Sequence, residues 1–178
     1  AKVTVTGGSI TVADDSREAY VFPGDATIEG VEDVGYIVAT VGDAGFETLQ
    51  AAINHAKAGN TVKLVRDVKA SAIITIDKAI TLDGNGKTLT SAAGRAINID
   101  TTGNVVINDL TINAGERAIN IIDKASTVEL NNVTATAKNN AVMIATSAGA
   151  VKLTINDSDL TGLAVVNVAG AGAEVEIN

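Results

Sequence analysis

Six polar side chains in the second half of the chain suit an anionic or polar ligand. Guanidinium groups bind carboxylates through paired hydrogen bonds, and side-chain amides both donate and accept hydrogen bonds. The two arginines are 22 residues apart, as are the two asparagines, and the two aspartates are 23 apart. The candidate binding residues are Arg95, Asn98, Asp100, Arg117, Asn120 and Asp123.

These residues form one surface only if the chain returns to the same place every 22 or 23 residues, and a repeat of about that length is present. Between residues 80 and 178, an apolar residue followed by Asp or Asn recurs at intervals of 25, 23, 25 and 22 residues. A fixed period in the low twenties, without helical periodicity, is typical of a solenoid. The repeated polar residues are Asp83, Asn108, Asn131, Asn156 and Asn178.

Each repeat alternates apolar and polar residues in three short runs, which predicts three strands joined by three corners. A strand of about four residues points two side chains inward, so three strands with their corners account for about 23 residues. Burial of each inward side chain stabilises the fold by about 1.5–3 kcal/mol, so a repeat needs neighbours on both sides in order to fold. One predicted inward column consists of Leu82, Ile107, Leu130 and Ile155.

The repeated Asp and Asn residues fall at a corner between two inward-facing runs. Amide side chains stacked at such a corner hydrogen-bond to one another from repeat to repeat, and Asn tolerates the left-handed backbone of a tight bend. We therefore expect a structural ladder that consists of Asp83, Asn108, Asn131, Asn156 and Asn178.

The chain before the repeats divides into two parts. Residues 1–42 alternate like strands without following the later period, which predicts a small β-module. The solenoid is predicted over residues 43–178 and starts with a helix over residues 46–58. Such a helix covers the open end of the first repeat, as the terminal units of repeat proteins must. Its apolar stripe consists of Phe46, Leu49, Ala52, Ile53 and Ala56.

A family resemblance covers about residues 41–178. The stretch GFETLQAAINHAKAGNTVKLVRDV, followed by AITLDGNGKTL and the asparagine column, resembles the right-handed parallel β-helices of the pectin-lyase-like superfamily, including those in large bacterial surface proteins. The resemblance implies an all-β, right-handed parallel β-helix with a substrate groove along the outer face of one sheet. In that groove Arg95 and Arg117 would neutralise a uronate.

The pattern of residues argues against catalysis in such a groove. Hydrolysis of the polygalacturonase type would need clustered carboxylates with a histidine, and the one histidine, His55, lies in the predicted helix. Lyase chemistry would need calcium carboxylates and a base. Asn140 and Leu163 take the arginine positions in the next two repeats. We predict no catalytic residue, metal or cofactor, and retain a polysaccharide lyase or glycosidase near Arg95 and Arg117 as the alternative.

Two further outward columns bear on binding. The first is acidic and predicts hydrated turns in preference to a calcium site, because it lacks the glycine- and aspartate-rich nonapeptide of calcium-binding β-rolls. It consists of Asp109, Asn132, Asp157 and Asp159. The second consists of Thr90, Thr111, Thr134 and Thr161.

Composition narrows the range of partners. The formal net charge is −8 and the pI about 4.5, which excludes the basic surface needed to bind nucleic acid. No run of residues is long and apolar enough to predict membrane insertion. The absence of cysteine excludes disulfides and thiolate metal sites, and an aromatic content of 2% predicts an aliphatic core.

Together these patterns predict a non-catalytic structural or adhesion segment of a bacterial cell-surface or secreted protein. We expect its partners to be polysaccharides or host surface glycans, and its location to be extracellular or on the cell surface. The chain starts at Ala1 and stops inside a repeat, which predicts a piece of a longer protein. The final run, EVEIN, leaves a strand edge without a following repeat, which predicts edge-to-edge self-association at the C-terminal rung.

Overall fold

The chain forms a parallel β-solenoid of about five turns, each of about 23 residues, so the predicted all-β solenoid is confirmed. The computed structural model describes residues 37–122 and 126–178; the strands predicted within residues 1–36, and Asp123, lie outside these ranges. We call one full turn a rung. The elements are β1 (Ala39–Val41), β2 (Ala44–Phe46), α1 (Leu49–His55), β3 (Thr61–Leu64), β4 (Val68–Ala70), β5 (Ile74–Ile76), β6 (Thr81–Ser91), β7 (Arg95–Ile99), β8 (Asn104–Ala114), β9 (Arg117–Ile121), β10 (Thr127–Asn131), β11 (Thr134–Ala137), β12 (Asn140–Ile144), a 3-10 helix (Thr146–Ala148), β13 (Lys152–Asn156), β14 (Asp159–Thr161), β15 (Ala164–Val168) and β16 (Glu174–Ile177).

Successive rungs add strands to three parallel stacks. Stack 1 contains β3, β10, β13 and β16, together with the first part of β6 and the first part of β8. Stack 2 contains β4, β11 and β14, together with the second part of β6 and the second part of β8. Stack 3 is a separate five-stranded sheet of β5, β7, β9, β12 and β15. Stacks 1 and 2 share one sheet because β6 and β8 run through the corner between them.

Aliphatic columns run along the interior of the solenoid. The predicted column of stack 1 is in register, and none of its four members is more than 2% exposed. The equivalents one rung before and one rung after cover each side chain, so burial depends on the neighbouring rungs. Stack 3 contributes the buried column Ile76, Ile99, Ile121 and Ile144.

Left-handed Asp and Asn residues turn the corner between stacks 1 and 2. The backbone angle φ is +50° at Asp109, +53° at Asn132 and +48° at Asp157. Asp and Asn adopt this conformation more readily than other non-glycine residues, because their short polar side chains hydrogen-bond locally. Three members of the predicted acidic column therefore have a conformational role, whereas Asp159 lies beyond the corner in β14.

The last rung departs from the alignment of the repeats in the sequence. The pairing of β12 with β15 places Ala164 opposite Asn140, so the prediction that Leu163 takes the arginine position is wrong. Stack 2 advances 25 residues from Thr136 to its partner Thr161, but stack 3 advances 24, because the corner between them is one residue shorter. Gly162 fits this short corner, since a Cβ there would lie 3.0 Å from the nitrogen of Ala141.

A short helix covers the N-terminal end of the core. Helix α1 buries Leu49, Ala52 and Ile53, and β1 pairs antiparallel with the edge of β3. The predicted helix over residues 46–58 is too long, because the backbone is extended at Thr48 and no longer helical at Ala56. The Oγ1 of Thr48 accepts a hydrogen bond from the third residue after it at 3.1 Å and so fixes the start of the helix.

The helix also closes the first strand of stack 3. The side-chain amide of Gln50 takes the place of a neighbouring strand's backbone. Its Oε1 accepts from the backbone nitrogen of Thr75 at 2.8 Å, and its Nε2 donates to the carbonyl of the same residue at 3.1 Å. Lys78 donates to the carbonyls of Ile53 and Asn54 at the end of the helix. The backbone N–H and C=O of Thr75 at the edge of β5 therefore have hydrogen-bond partners, which removes a site for unwanted strand pairing.

Gly84 lies where two successive rungs approach each other closely at the first corner. A Cβ there would lie 2.5 Å from the oxygen of Asp109 and 2.6 Å from the Cα of Leu110. We expect Gly84→Ala to lower the free energy of unfolding by about 1–3 kcal/mol, because the backbone must shift to admit a methyl group. Urea-induced unfolding measures this value.

Gly115→Ala is the matched control, since its Cβ would make an ordinary contact of 3.4 Å with Gly94. This control should change stability by no more than about 0.5 kcal/mol. Equal stability of the two variants would contradict the close approach at Gly84.

Candidate functional site

The outer face of stack 3 brings together four of the six candidate binding residues. Arg95 lies opposite Arg117, and Asn98 lies opposite Asn120, in the register of β7 with β9. Asp100 follows β7 directly and is half-buried. Asp123 lies outside the described residues. The sequence interval therefore placed both pairs correctly one above the other.

These side chains bond to one another within β9 and from β9 to β7. Arg117 donates from Nη1 to the Oδ1 of Asn120 at 3.2 Å, and Asn120 donates from Nδ2 to the Oδ1 of Asn98 at 3.2 Å. Asn120 is only 1% exposed, which is rare for an amide unless it is hydrogen-bonded. Burial keeps a ligand from this amide and its bond to Asn98 joins two rungs, so Asn120 serves to link rungs.

Arg95 forms an ion pair with the neighbouring rung. Its Nε lies 3.6 Å from the Oε2 of Glu116, and both side chains are more than one-third exposed. Water screens such a surface pair, so it contributes no more than about 1 kcal/mol to stability. Arg95 consequently keeps an accessible guanidinium group, unlike the bonded pair formed by Arg117 and Asn120.

The positive charge on this face ends after two rungs. Asn140 and Ala164 continue the arginine column, while Met143 and Asn167 continue the asparagine column. An acidic polysaccharide that followed the axis would therefore meet cations on two of the rungs described. This short basic patch is smaller than the extended groove that the family resemblance implies.

The predicted asparagine ladder is present at the first corner. Asn131 donates to Asn108 at 2.9 Å, Asn156 donates to Asn131 at 2.7 Å, and Asn178 donates to Asn156 at 2.8 Å, each from Nδ2 to Oδ1. Asp83 lies opposite Asn108 at the base of the column. Its carboxylate accepts from the backbone nitrogen two residues later at 2.8 Å and lies 3.6 Å from the Nζ of Lys63.

A second short ladder runs beside the first. The Nδ2 of Asn132 donates to the Oδ1 of Asp109 at 2.6 Å, so adjacent corner residues form parallel chains of hydrogen bonds. Charge-assisted bonds of this length are stronger than those between neutral groups. In the described ranges, no three His, Asp or Glu side chains cluster closely enough to hold a metal ion.

The outer face of stack 2 carries two rows of hydroxyl groups that the sequence analysis treated as one column. The first row is Thr88, Thr111, Thr134 and Asp159, and the second is Thr90, Asn113, Thr136 and Thr161. The missed members, Thr88 and Thr136, are detectable from the Thr-x-Thr spacing, since strand residues two apart share a face. Hydroxyls both donate and accept hydrogen bonds, so this face suits a polar ligand.

Two further findings concern membrane-spanning helices and similarity to known proteins. Among residues 37–122 and 126–178, no helix has the length and apolar character needed to span a membrane. No family model, curated protein or solved structure matches the chain. The pairing of the parallel strands establishes the fold, and membership of the pectin-lyase-like superfamily stays a prediction.

Asn131 lies in the middle of the ladder and bonds to a neighbour on each side. We expect Asn131→Ala to lower the free energy of unfolding by about 1–3 kcal/mol, because the half-buried amides of Asn108 and Asn156 each lose a hydrogen bond. Asn131→Asp should be at least as destabilising, since an ionised carboxylate cannot donate to the Oδ1 of Asn108. Thermal and urea unfolding measure both variants.

Asn113→Ala is the control, because Asn113 is an exposed asparagine on stack 2. Its effect should stay within about 0.5 kcal/mol. If Asn131→Ala were as stable as this control, the ladder would be an incidental feature of the corner.

Proposed function

We propose that the chain is a non-catalytic structural or adhesion segment of a bacterial cell-surface or secreted protein. The observation that carries the proposal is the continuity of the solenoid along its axis. A core of aliphatic columns and a ladder of amides join each rung to the next. This arrangement suits a rigid spacer that holds other parts of a protein at a fixed distance.

The spacing between strands determines the length of the spacer. Adjacent strands in a sheet lie about 4.8 Å apart, so five rungs extend over roughly 24 Å. Each added rung lengthens the segment by the same step without changing its cross-section. Repeat proteins gain stability from neighbour contacts of this kind, so length and stability increase together.

Adhesion is the second part of the proposal and concerns polysaccharides or host surface glycans. The threonine rows of stack 2 are better placed for such contacts than the pair of Arg117 and Asn120. Four of the threonines are exposed, namely Thr90, Thr134, Thr136 and Thr161, whereas Asn120 is buried and bonded. Arg95 adds one accessible cation on the neighbouring face.

The scaffold proposal predicts that a rung can be added. Thr127 lies opposite Lys152, so residues 127–151 make up one complete rung. A variant in which this rung is duplicated after Val151 should fold with unchanged or greater stability, because the new rung is covered on both sides. Small-angle scattering should show the longest dimension increased by about 5 Å.

A flexible Gly/Ser insertion of equal length at the same position is the control. It should lower the thermal midpoint because it separates two rungs and supplies no apolar side chains. Loss of folding in the duplicated variant would contradict the modular scaffold.

The scaffold proposal also predicts that the protein does not cleave polysaccharides. Incubation with polygalacturonate, alginate and host glycans should release neither unsaturated products nor new reducing ends. Turnover that disappeared in Arg117→Ala would overturn the proposal in favour of a lyase or glycosidase near Arg95 and Arg117. Binding on a glycan array that was lost in Thr134→Val, without turnover, would support adhesion through stack 2.

A further inference from the structure

The corner between stacks 1 and 2 is larger in β6 than in the strands that follow. Residues 84–86 of β6 face a single residue of β8, Asp109, so the corner of β6 contains two extra residues. The later rungs turn the same corner without them. Asn85 and Gly86 are both exposed, and their backbone angles φ are +49° and +70°. Two consecutive positive angles form a tight turn for which the pair Asn-Gly is preferred.

This pair also has a distinctive chemistry, because it is the one Asn-Gly sequence in the chain. Glycine lets its backbone nitrogen approach the preceding side chain closely, since it carries no Cβ. The nitrogen of Gly86 forms a bond to the Cγ of Asn85 and gives up its proton, while the Nδ2 group takes up a proton and leaves as ammonia. Water then opens the five-membered ring at either carbonyl carbon. The products are aspartate and isoaspartate, in which the main chain runs through the former side chain.

The surroundings of Gly86 leave room for this reaction. A Cβ placed on Gly86 would meet no atom within 4 Å beyond its chain neighbours. Neither Asn85 nor Gly86 is paired with a residue of β8. The nitrogen of Gly86 can therefore move towards the Cγ of Asn85 without disrupting the pairing of β6 with β8.

The neighbouring pair, Asp83 and Gly84, provides a contrast within the same corner. An aspartate followed by glycine can form the same ring by losing water instead of ammonia. Gly84 is buried, and a Cβ there would lie 2.5 Å from the oxygen of Asp109. This packing holds the backbone in place, so we expect the ring to form at Asn85 and not at Asp83 while the chain is folded.

The amide of Asn85 joins two rungs. Its Nδ2 donates to the backbone oxygen of Leu64 on the preceding rung at 3.1 Å. An ionised carboxylate cannot donate this bond, so the product places a negative charge against a carbonyl oxygen. The carboxylate of Asp83 accepts from the backbone nitrogen of Asn85 at 2.8 Å and adds a second negative charge nearby. The reaction therefore weakens the contact between these two rungs.

We propose that Asn85 is a site of spontaneous deamidation in the folded protein, with the nitrogen of Gly86 as the nucleophile and water as the only co-reactant. The reaction replaces a neutral contact between two rungs by an acidic and weaker one. It needs no ligand and no partner, so it is independent of the function proposed above.

The first test is incubation of the complete chain at mildly alkaline pH, under conditions in which circular dichroism shows that it is folded. Peptide mapping by mass spectrometry should locate the conversion of amide to acid at Asn85, with the other asparagines unchanged. An isoaspartate-specific methyltransferase should label the same peptide. Conversion should be faster at higher pH, because the attacking nitrogen must lose its proton. An intact Asn85, or equal conversion of the other asparagines, overturns the proposal.

A parallel incubation in concentrated urea tests the role of the fold. Asn85 should be converted in both the folded and the unfolded chain, whereas isoaspartate at Asp83 should form only in the unfolded chain. Conversion of Asn85 that required urea would overturn the proposal. Isoaspartate at Asp83 in the folded chain would also count against it, because the close packing of Gly84 would then not restrain the backbone.

The variant Asn85→Asp measures the effect of the product's charge on the fold. It should lower the thermal midpoint by about 2–4 °C, the shift that corresponds to one lost hydrogen bond in a chain of this size. Asn113→Asp is the matched control, because it adds the same charge at an exposed position of stack 2. Equal midpoints for the two variants would overturn the link assigned between Asn85 and the preceding rung.

Discussion

Apolar contact between successive rungs is the interaction on which this fold depends. A rung encloses an interior too narrow to bury its aliphatic side chains by itself, so the side chains above and below must exclude water from them. Burial at each position is worth about 1.5–3 kcal/mol only while both neighbours are present. The contrast between Ile155 and Ile177, equivalent residues that are 2% and 67% exposed, shows the effect of losing one neighbour.

Hydrogen bonds between equivalent side chains make this stacking specific. Aliphatic columns alone would tolerate a shift of register by two residues, because every side chain stays on its face and Ile, Leu and Val occupy similar volumes. Such a shift would separate the amides of Asn108, Asn131 and Asn156. The ladder therefore fixes the register, and the left-handed residues beside it fix the place of the corner.

The period, the inward column of stack 1 and the ladder were predictable because each repeats a strong local pattern, whereas in stack 2 Leu89 lies opposite Ile112 and not in one column with Leu110, as the repeat alignment predicts. The register of the last rung was not, because Ala164 matches the small residues of the earlier repeats, whereas the corner shortened at Gly162 places Val165 at that position. The start of α1 depends on a single cap at Thr48. For the candidate site, spacing identified which residues are stacked. It did not reveal that Asn120 is buried and already bonded, because this pattern stops after two rungs, where Asn140 and Met143 follow Arg117 and Asn120.

Contact with neighbouring rungs also distinguishes the side chains that hold the fold together from those that are free to contact a ligand. Side chains that point along the axis, such as Asn120 and Asn131, are used to join rungs, and a ligand there would compete with the fold. Side chains on the outer face of stack 2 point away from every neighbouring rung, so their substitution costs the fold little.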